Sequence, residues 1–175
     1  MTPVIKIKTL LEVLRAMKAS ELQNIFIDEL KVLLPDWRFV KSQRQFKRVE
    51  EGVVWLFHIN CINHLDDFDA VADVAVEFKS GKENICIVGA ELGNIEGVGQ
   101  KRFSVTSATE AKSSAERMLC YFKAHGMPFL RKYSNPVDVI STLKQGGKEA
   151  MLISPLLNQH PEQINRLTNF YGVSI

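Results

Sequence analysis

Between positions 58 and 69 the chain gathers His58, Cys61, His64, Asp66, Asp67 and Asp69. These are imidazole, thiol and carboxylate groups of the kind that ligate zinc and other divalent ions. The spacing argues against a shared ion. On an extended strand Cys61 points away from His58 and His64, and the two histidines stand about 20 Å apart unless the strand bends sharply. The plainer expectation is a strand histidine beside a solvated acidic turn, with no metal and no cofactor called for. A metal-dependent hydrolase at the His58–Asp69 cluster stays as an alternative.

Three further constellations could carry chemistry. Gly93, Gly97 and Gly99, followed by Gln100, Lys101 and Arg102, would let backbone amides approach a phosphate. No Gly-Lys-Ser/Thr follows, and the third glycine of a dinucleotide fingerprint is missing, so a loop is expected. Lys41, Arg44, Lys47 and Arg48 lie, with Arg38, among Trp37, Phe39 and Phe46, an interleaving that can stack bases and neutralise phosphates. It is also how a sheet edge is protected from pairing with other chains. No Gly-x-Ser-x-Gly elbow is present, and Cys61 beside His58 or His64 lacks a context that would make it a nucleophile. No catalytic residue is therefore assigned.

The elements that must position these groups are set by periodicity. Thr9 with Glu12 and Ser20 with Gln23 read as capping boxes of two N-terminal helices. In the second helix Leu22, Ile25, Phe26, Leu30 and Leu33 make one stripe that Pro35 ends. From Trp37 the period becomes two, and Glu51-Gly52 marks a hairpin turn. The strand from Val53 is apolar on both faces at its start, which predicts a central position. The next run, Phe68 to Phe78, alternates apolar residues with Asp69, Asp73 and Glu77, so one face is wetter. Ser80-Gly81 then turns the chain into a strand over 85–90. Residues 91–106 read as a loop with a short strand at 103–106. Ser107 and Glu110 cap a long helix that Gly126 and Pro128 should end. Asn135-Pro136 opens a helix that stops at Gly146-Gly147, and a last one begins near Pro161.

Consecutive strands without intervening helices predict an antiparallel meander rather than βαβ units. The expected architecture is α+β, with an antiparallel sheet of four to five strands packed by N-terminal and C-terminal helices. One domain over 1–175 suits a chain of 175 residues with 46% hydrophobic residues.

The net charge of +2 gives no global reason to expect nucleic acid, but its distribution is uneven. Residues 1–50 carry ten basic and six acidic side chains, 51–100 two and nine, and 101–175 ten and five. The middle third is therefore an acidic stretch between basic flanks. Cys61, Cys86 and Cys120 are far apart in apolar runs, as expected of buried reduced thiols. Neither a secretion signal nor a membrane-length apolar run is evident, so a cytoplasmic location without membrane association is expected.

Several features, in their order along the chain, carry a likeness. They are a helix ending Leu33-Leu34, Trp37-Arg38-Phe39, the Phe46-Lys47-Arg48 strand, the strand from Val53 to Asn63, an apolar strand through Phe78, and Pro128-Phe129-Leu130. Over residues 26–143 the chain resembles a bacterial family catalogued as a domain of unknown function and met near immunity-type proteins. The resemblance implies a fold and supplies no catalytic residues. The segment after Gly147 lies outside it.

Charge segregation without a catalytic motif leads to the expectation of a non-enzymatic protein-binding module. An immunity protein that neutralises a cognate toxin domain is one such module. Its partner-binding residues would be Asp66, Asp67, Asp69, Asp73 and Glu77, since an acidic face suits a basic partner. The alternative is a nucleic-acid or small-ligand binding protein using the Lys41–Arg48 hairpin. The sequence leaves oligomeric state open.

Overall fold

A computed structural model describes residues 17–173; the Thr9–Glu12 capping box lies outside them. Helix α1 spans Ala19–Leu33 and stops two residues before Pro35. Its Leu22, Phe26, Ile27 and Leu30 are buried, with Ile25 and Leu33 packed against the same core. The cap differs from the expected Ser20–Gln23 box. The Glu21 carboxylate accepts the backbone N–H of Lys18 at 2.8 Å, which starts the helix ahead of Ser20. Gln23 is thereby free to bond Asn63 and Arg44 instead.

A five-strand meander comes next: β1 (Arg38–Val40), β2 (Gln45–Glu50), β3 (Val53–Asn63), β4 (Phe68–Ser80) and β5 (Glu83–Glu91), each antiparallel to its successor. A 3₁₀ turn, Lys41–Gln43, joins the first two. Glu51 and Gly52 both take positive φ, 45° and 86°, the mirror-image turn whose twist matches the flanking strands. β3 lies between β2 and β4, as its two apolar faces predicted. A sixth strand, β6 (Phe103–Val105), pairs with β4 at Phe68–Ala70, while β5 pairs with β4 over Asp73–Ser80. The sheet thus has six strands rather than four to five. β1 and β6 are three residues each; β6 is the short strand expected at 103–106, joined to the sheet through β4.

The expected loop after β5 contains a short helix, α2 (Leu92–Glu96), whose first turn is capped by the Glu91 carboxylate. Helix α3 (Ala108–Tyr121) begins where Ser107 and Glu110 predicted: the Ser107 hydroxyl accepts the Glu110 N–H at 3.2 Å. The return bond reaches one residue further back, to the N–H of Thr106 at 2.9 Å. Gly126 and Pro128 do not end the helical path. The chain passes through a π turn at Phe122–Gly126 into α4 (Met127–Tyr133). Pro128 stands in the first turn of α4, where a missing N–H costs little. A Cβ on Gly126 would lie 2.6 Å from Phe122 Cδ2 and 2.9 Å from Leu92 Cδ2, so glycine here serves close packing.

Asn135 caps α5 (Pro136–Gln145) by accepting the Val137 N–H at 3.0 Å. The helix stops at Gly146-Gly147 as expected, and a further short helix, α6 (Gly147–Ile153), follows at once. Helix α7 (His160–Tyr171) ends on left-handed Gly172. No helix among the described residues is long and apolar enough to cross a membrane.

Alternation divides the sheet into two unlike faces. Val53, Trp55, Phe57 and Ile59 of β3, with Phe68, Ala70, Ala72, Val74, Val76 and Phe78 of β4, belong to one buried cluster with α1, α3, α4, α5 and α7. Aromatic rings tie it together: Phe57 stacks on Phe122 at 4.3 Å, and Trp37 meets Phe122 edge-on at 5.6 Å. Trp55 also donates its indole N–H to Ser134 Oγ at 2.7 Å. Of the three thiols, none of them bonded to another, Cys86 is buried and Cys61 half-buried. Cys120 is exposed, contrary to expectation, because its position on α3 turns to solvent between the buried Leu119 and the half-buried Tyr121.

Candidate functional site

The residues of opposite phase form the second face of the sheet, which lies outside the helix-packed cluster. Strand register arranges them in rows. One row runs Val40, Gln45, His58, Asp73, Glu91 from β1 to β5. The next runs Lys47, Leu56, Ala75, Gly89. Leu56 and Val71 on this face are 5% and 3% exposed and form its apolar floor.

The second row is low at its β4–β5 end, where Ala75 and Gly89 carry a methyl and no side chain, respectively. A Cβ on Gly89 would stand 2.7 Å from the Ala75 Cβ and 2.5 Å from the Val74 carbonyl oxygen. Above this gap is a shallow trough. One lobe of about 490 Å³ lies over Gln45, Leu56, His58, Ala75 and Ile87. A second of about 620 Å³ extends past Gly89 and Glu91 to a wall made by Lys148, Met151 and Leu152 of α6 and by Pro155. A third of about 550 Å³ lies over Asn60, Val71, Asn94 and Gln100. Asp73 lines all three.

Asp73 accepts the Asn60 amide at 2.7 Å and faces His58 Nδ1 at 3.4 Å. Its cross-strand neighbour Glu91 accepts the backbone N–H groups of Gly93 at 2.9 Å and Lys101 at 3.1 Å. Neither carboxylate forms an ion pair with a lysine or arginine among the described residues. Like charges directly opposite each other on neighbouring strands repel, so this point of the trough favours a cation. The glycine segment considered as a phosphate cradle thus turns two amides to a carboxylate of the chain itself. Gly93 has a packing reason as well, since a Cβ there would reach 2.0 Å from the Gly99 carbonyl oxygen.

The five acidic residues singled out in the sequence separate into two groups. Asp69, Asp73 and Glu77 share the open face of β4 at every fourth residue. Asp66 and Asp67 stand in the β3–β4 turn beside Leu65, which is 94% exposed. Asp69 is neutralised internally: Ser104 donates to it at 2.7 Å, and His64 and Arg102 approach at 3.3 and 3.6 Å. The Ser104 hydrogen bond foremost, then His64 and Arg102, holds its carboxyl below the usual range. Glu77 pairs with Lys79 at 3.2 Å. Glu91 was not among the expected site residues. Its role depends on β5 registering against β4 and on the chain folding back at Lys101.

The residues considered as a metal cluster are divided by the sheet. His58 faces Asp73, His64 faces Asp69, and Cys61 lies on the helix side against Arg44. Burial pushes the Cys61 thiol up, opposed by that guanidinium. No three His, Cys, Asp or Glu side chains among the described residues stand together as a metal site.

The basic residues are also divided. Lys41 and Arg44 border a cavity beside α1. Lys47 lies on the open face, in register with Leu56. Arg48 points the other way, pairing with Glu50 at 2.8 Å and lying 5.9 Å from the centre of the Trp55 ring.

Comparison with protein-family models, with curated proteins and with solved structures returns no match.

Proposed function

We propose that the chain is a non-enzymatic protein-binding module whose open sheet face receives a basic protein surface. The observation that carries this reading is the pair Asp73 and Glu91, two adjacent carboxylates without a lysine or arginine partner among the described residues, in a trough that none of the described helices covers. Around them, the exposed Ile87 and Met151 offer apolar contact, above a floor closed by the buried Leu56 and Val71. A central charge surrounded by apolar area is the arrangement in which an inserted Lys or Arg becomes a binding hot spot. The acidic face speeds encounter with a basic partner and selects against acidic ones. An immunity protein that blocks a basic toxin by occluding its active site would use such a face.

The test is affinity purification of the native chain from its own cells at low and high salt, with Asp73→Lys as the control. The expected result is a basic protein retained at low salt, released at high salt and absent with the variant. A partner held equally by Asp73→Lys, of native circular dichroism, would remove the trough from the reading. A partner without a basic surface would remove the electrostatic argument.

A further inference from the structure

On the opposite side of the sheet, a cavity of about 550 Å³ separates α1 from the 3₁₀ turn between β1 and β2. Its volume is that of a small-molecule site. Its charge is the reverse of the trough's: Lys31, Lys41 and Arg44 border it against one carboxylate, Asp28. Asp28 is held by Lys31 at 2.8 Å.

Arg44 is placed there by an unusual backbone. It takes φ 46° and ψ 44°, a left-handed conformation uncommon for residues other than glycine, asparagine and aspartate. Two main-chain bonds hold it: its N–H donates to Lys41 O at 3.2 Å, and its carbonyl accepts the Ile59 N–H at 3.0 Å. The side chain is oriented by a relay from the sheet. Gln23, 9% exposed, donates its amide to Asn63 Oδ1 and accepts from Arg44 Nη2 at 3.1 Å. That bond takes one of the five N–H donors of a guanidinium. Strained backbone kept in place by its surroundings is characteristic of ligand clamps.

We propose that this cavity binds a small phosphomonoester carrying a flat apolar body, of the size of a nucleoside monophosphate. Three cations and one carboxylate leave two positive charges, the complement of a phosphomonoester at neutral pH. Arg44 and Lys41 meet the phosphate, because charge-assisted bonds from a guanidinium fork suit its oxygens. Phe39 and Ile27 supply the apolar wall for the body of the ligand, and Cys61 lies at its floor.

Adenosine 5′-monophosphate, adenosine and inorganic phosphate are titrated separately into the full chain by calorimetry. The nucleotide is expected to bind saturably and with salt sensitivity, phosphate more weakly, and adenosine not at all. Lys41→Gln removes an exposed charge without touching the core and should weaken nucleotide binding by about tenfold or more. Arg44→Gln should weaken it at least as much. Bound nucleotide should also slow alkylation of Cys61 by iodoacetamide. Three outcomes overturn the proposal. One is no saturable nucleotide binding at millimolar concentration. Another is binding undiminished in a natively folded Lys41→Gln. The third is a single-stranded oligonucleotide that binds through the same residues while the mononucleotide does not.

Discussion

Gly89→Ala tests whether close approach of β4 and β5 shapes the trough. At an unconstrained strand position, replacing glycine by alanine stabilises a protein by about 0.5–1 kcal/mol, chiefly through the unfolded chain. Here the added methyl would meet the Val74 carbonyl oxygen at 2.5 Å and the Ala75 methyl at 2.7 Å. The oxygen belongs to a central strand paired on both sides, so relief requires β5 to move. Overpacking of this kind costs about 1–3 kcal/mol; with contacts as short as these the upper half of that range applies, about 2–3 kcal/mol, which leaves a net loss of roughly 1–2 kcal/mol. With a urea dependence of about 2 kcal/mol/M, the unfolding midpoint should fall by roughly 0.5–1 M. Adding Ala75→Gly removes the methyl–methyl contact and leaves the carbonyl one. The double variant should therefore recover part of the loss, with a coupling of about 0.5 kcal/mol or more. Urea titration followed by tryptophan fluorescence reads the parent, both single variants and the double variant. A midpoint for Gly89→Ala equal to or above that of the parent would refute the reasoning, since the strands would then have room for a methyl.

Other expectations rest on local chemistry. Ser107→Ala removes the cap of α3 and should cost about 1 kcal/mol, read as a lower urea midpoint. Trp55→Phe deletes the bond to Ser134 and should cost about 1 kcal/mol through that hydrogen bond; an unchanged midpoint would show the bond to be without net value. The carboxyl of Asp69 is held down chiefly by Ser104, so the stability it lends is present above the ordinary carboxylate pKa and is lost as pH falls through its depressed value. Ser104→Ala should move the Asp69 titration, followed by NMR, toward the ordinary value. Burial pushes the Cys86 thiol up to about 11 from 9.0. The unfolded thiol therefore ionises first, and stability should decline from about pH 9 to 11. Under native conditions iodoacetamide should label the exposed Cys120 well before Cys86, as mass spectrometry would show.

The sheet was legible where side chains alternate over many residues. Val53 to Cys61 and Phe68 to Phe78 carry their own period, and Glu51-Gly52 has the backbone freedom its turn requires. The short helices α2 and α6 were not legible, having too few side chains to establish a phase, whereas the three-residue β6 falls within the short strand expected at 103–106. Gly126 and Pro128 read as a stop because their local chemistry is that of a helix end, whereas tertiary packing against Leu92 keeps the chain helical. At the trough, the common phase of Asp69, Asp73 and Glu77 was readable from spacing. Their separation from Asp66 and Asp67 depends on where the turn begins, and the partnership of Asp73 with Glu91 depends on register across two strands. Lys47 and Arg48 are adjacent on a strand, so their divergence is a consequence of the period of two. The link from Asn63 through Gln23 to Arg44 joins residues 40 and 21 positions apart, and no local pattern announces it.

Strand β4 is the spine of the sheet, and its second edge is shared by two strands that arrive from different distances along the chain. β5 returns through a tight turn at Gly81, while β6 must close the loop from Ala70 to Phe103. Loop-closure entropy favours the short connections, so the meander from β2 to β5 can assemble before β6 docks. β6 is fastened to α3, because Ser114 of that helix donates to the Ser104 carbonyl at 2.7 Å. The helix that roofs the core and the strand that completes the edge are therefore expected to come into place together. In reverse, because Lys101, two residues before β6, donates its N–H to Glu91, detachment of β6 would loosen the trough together with the aromatic core rather than after it.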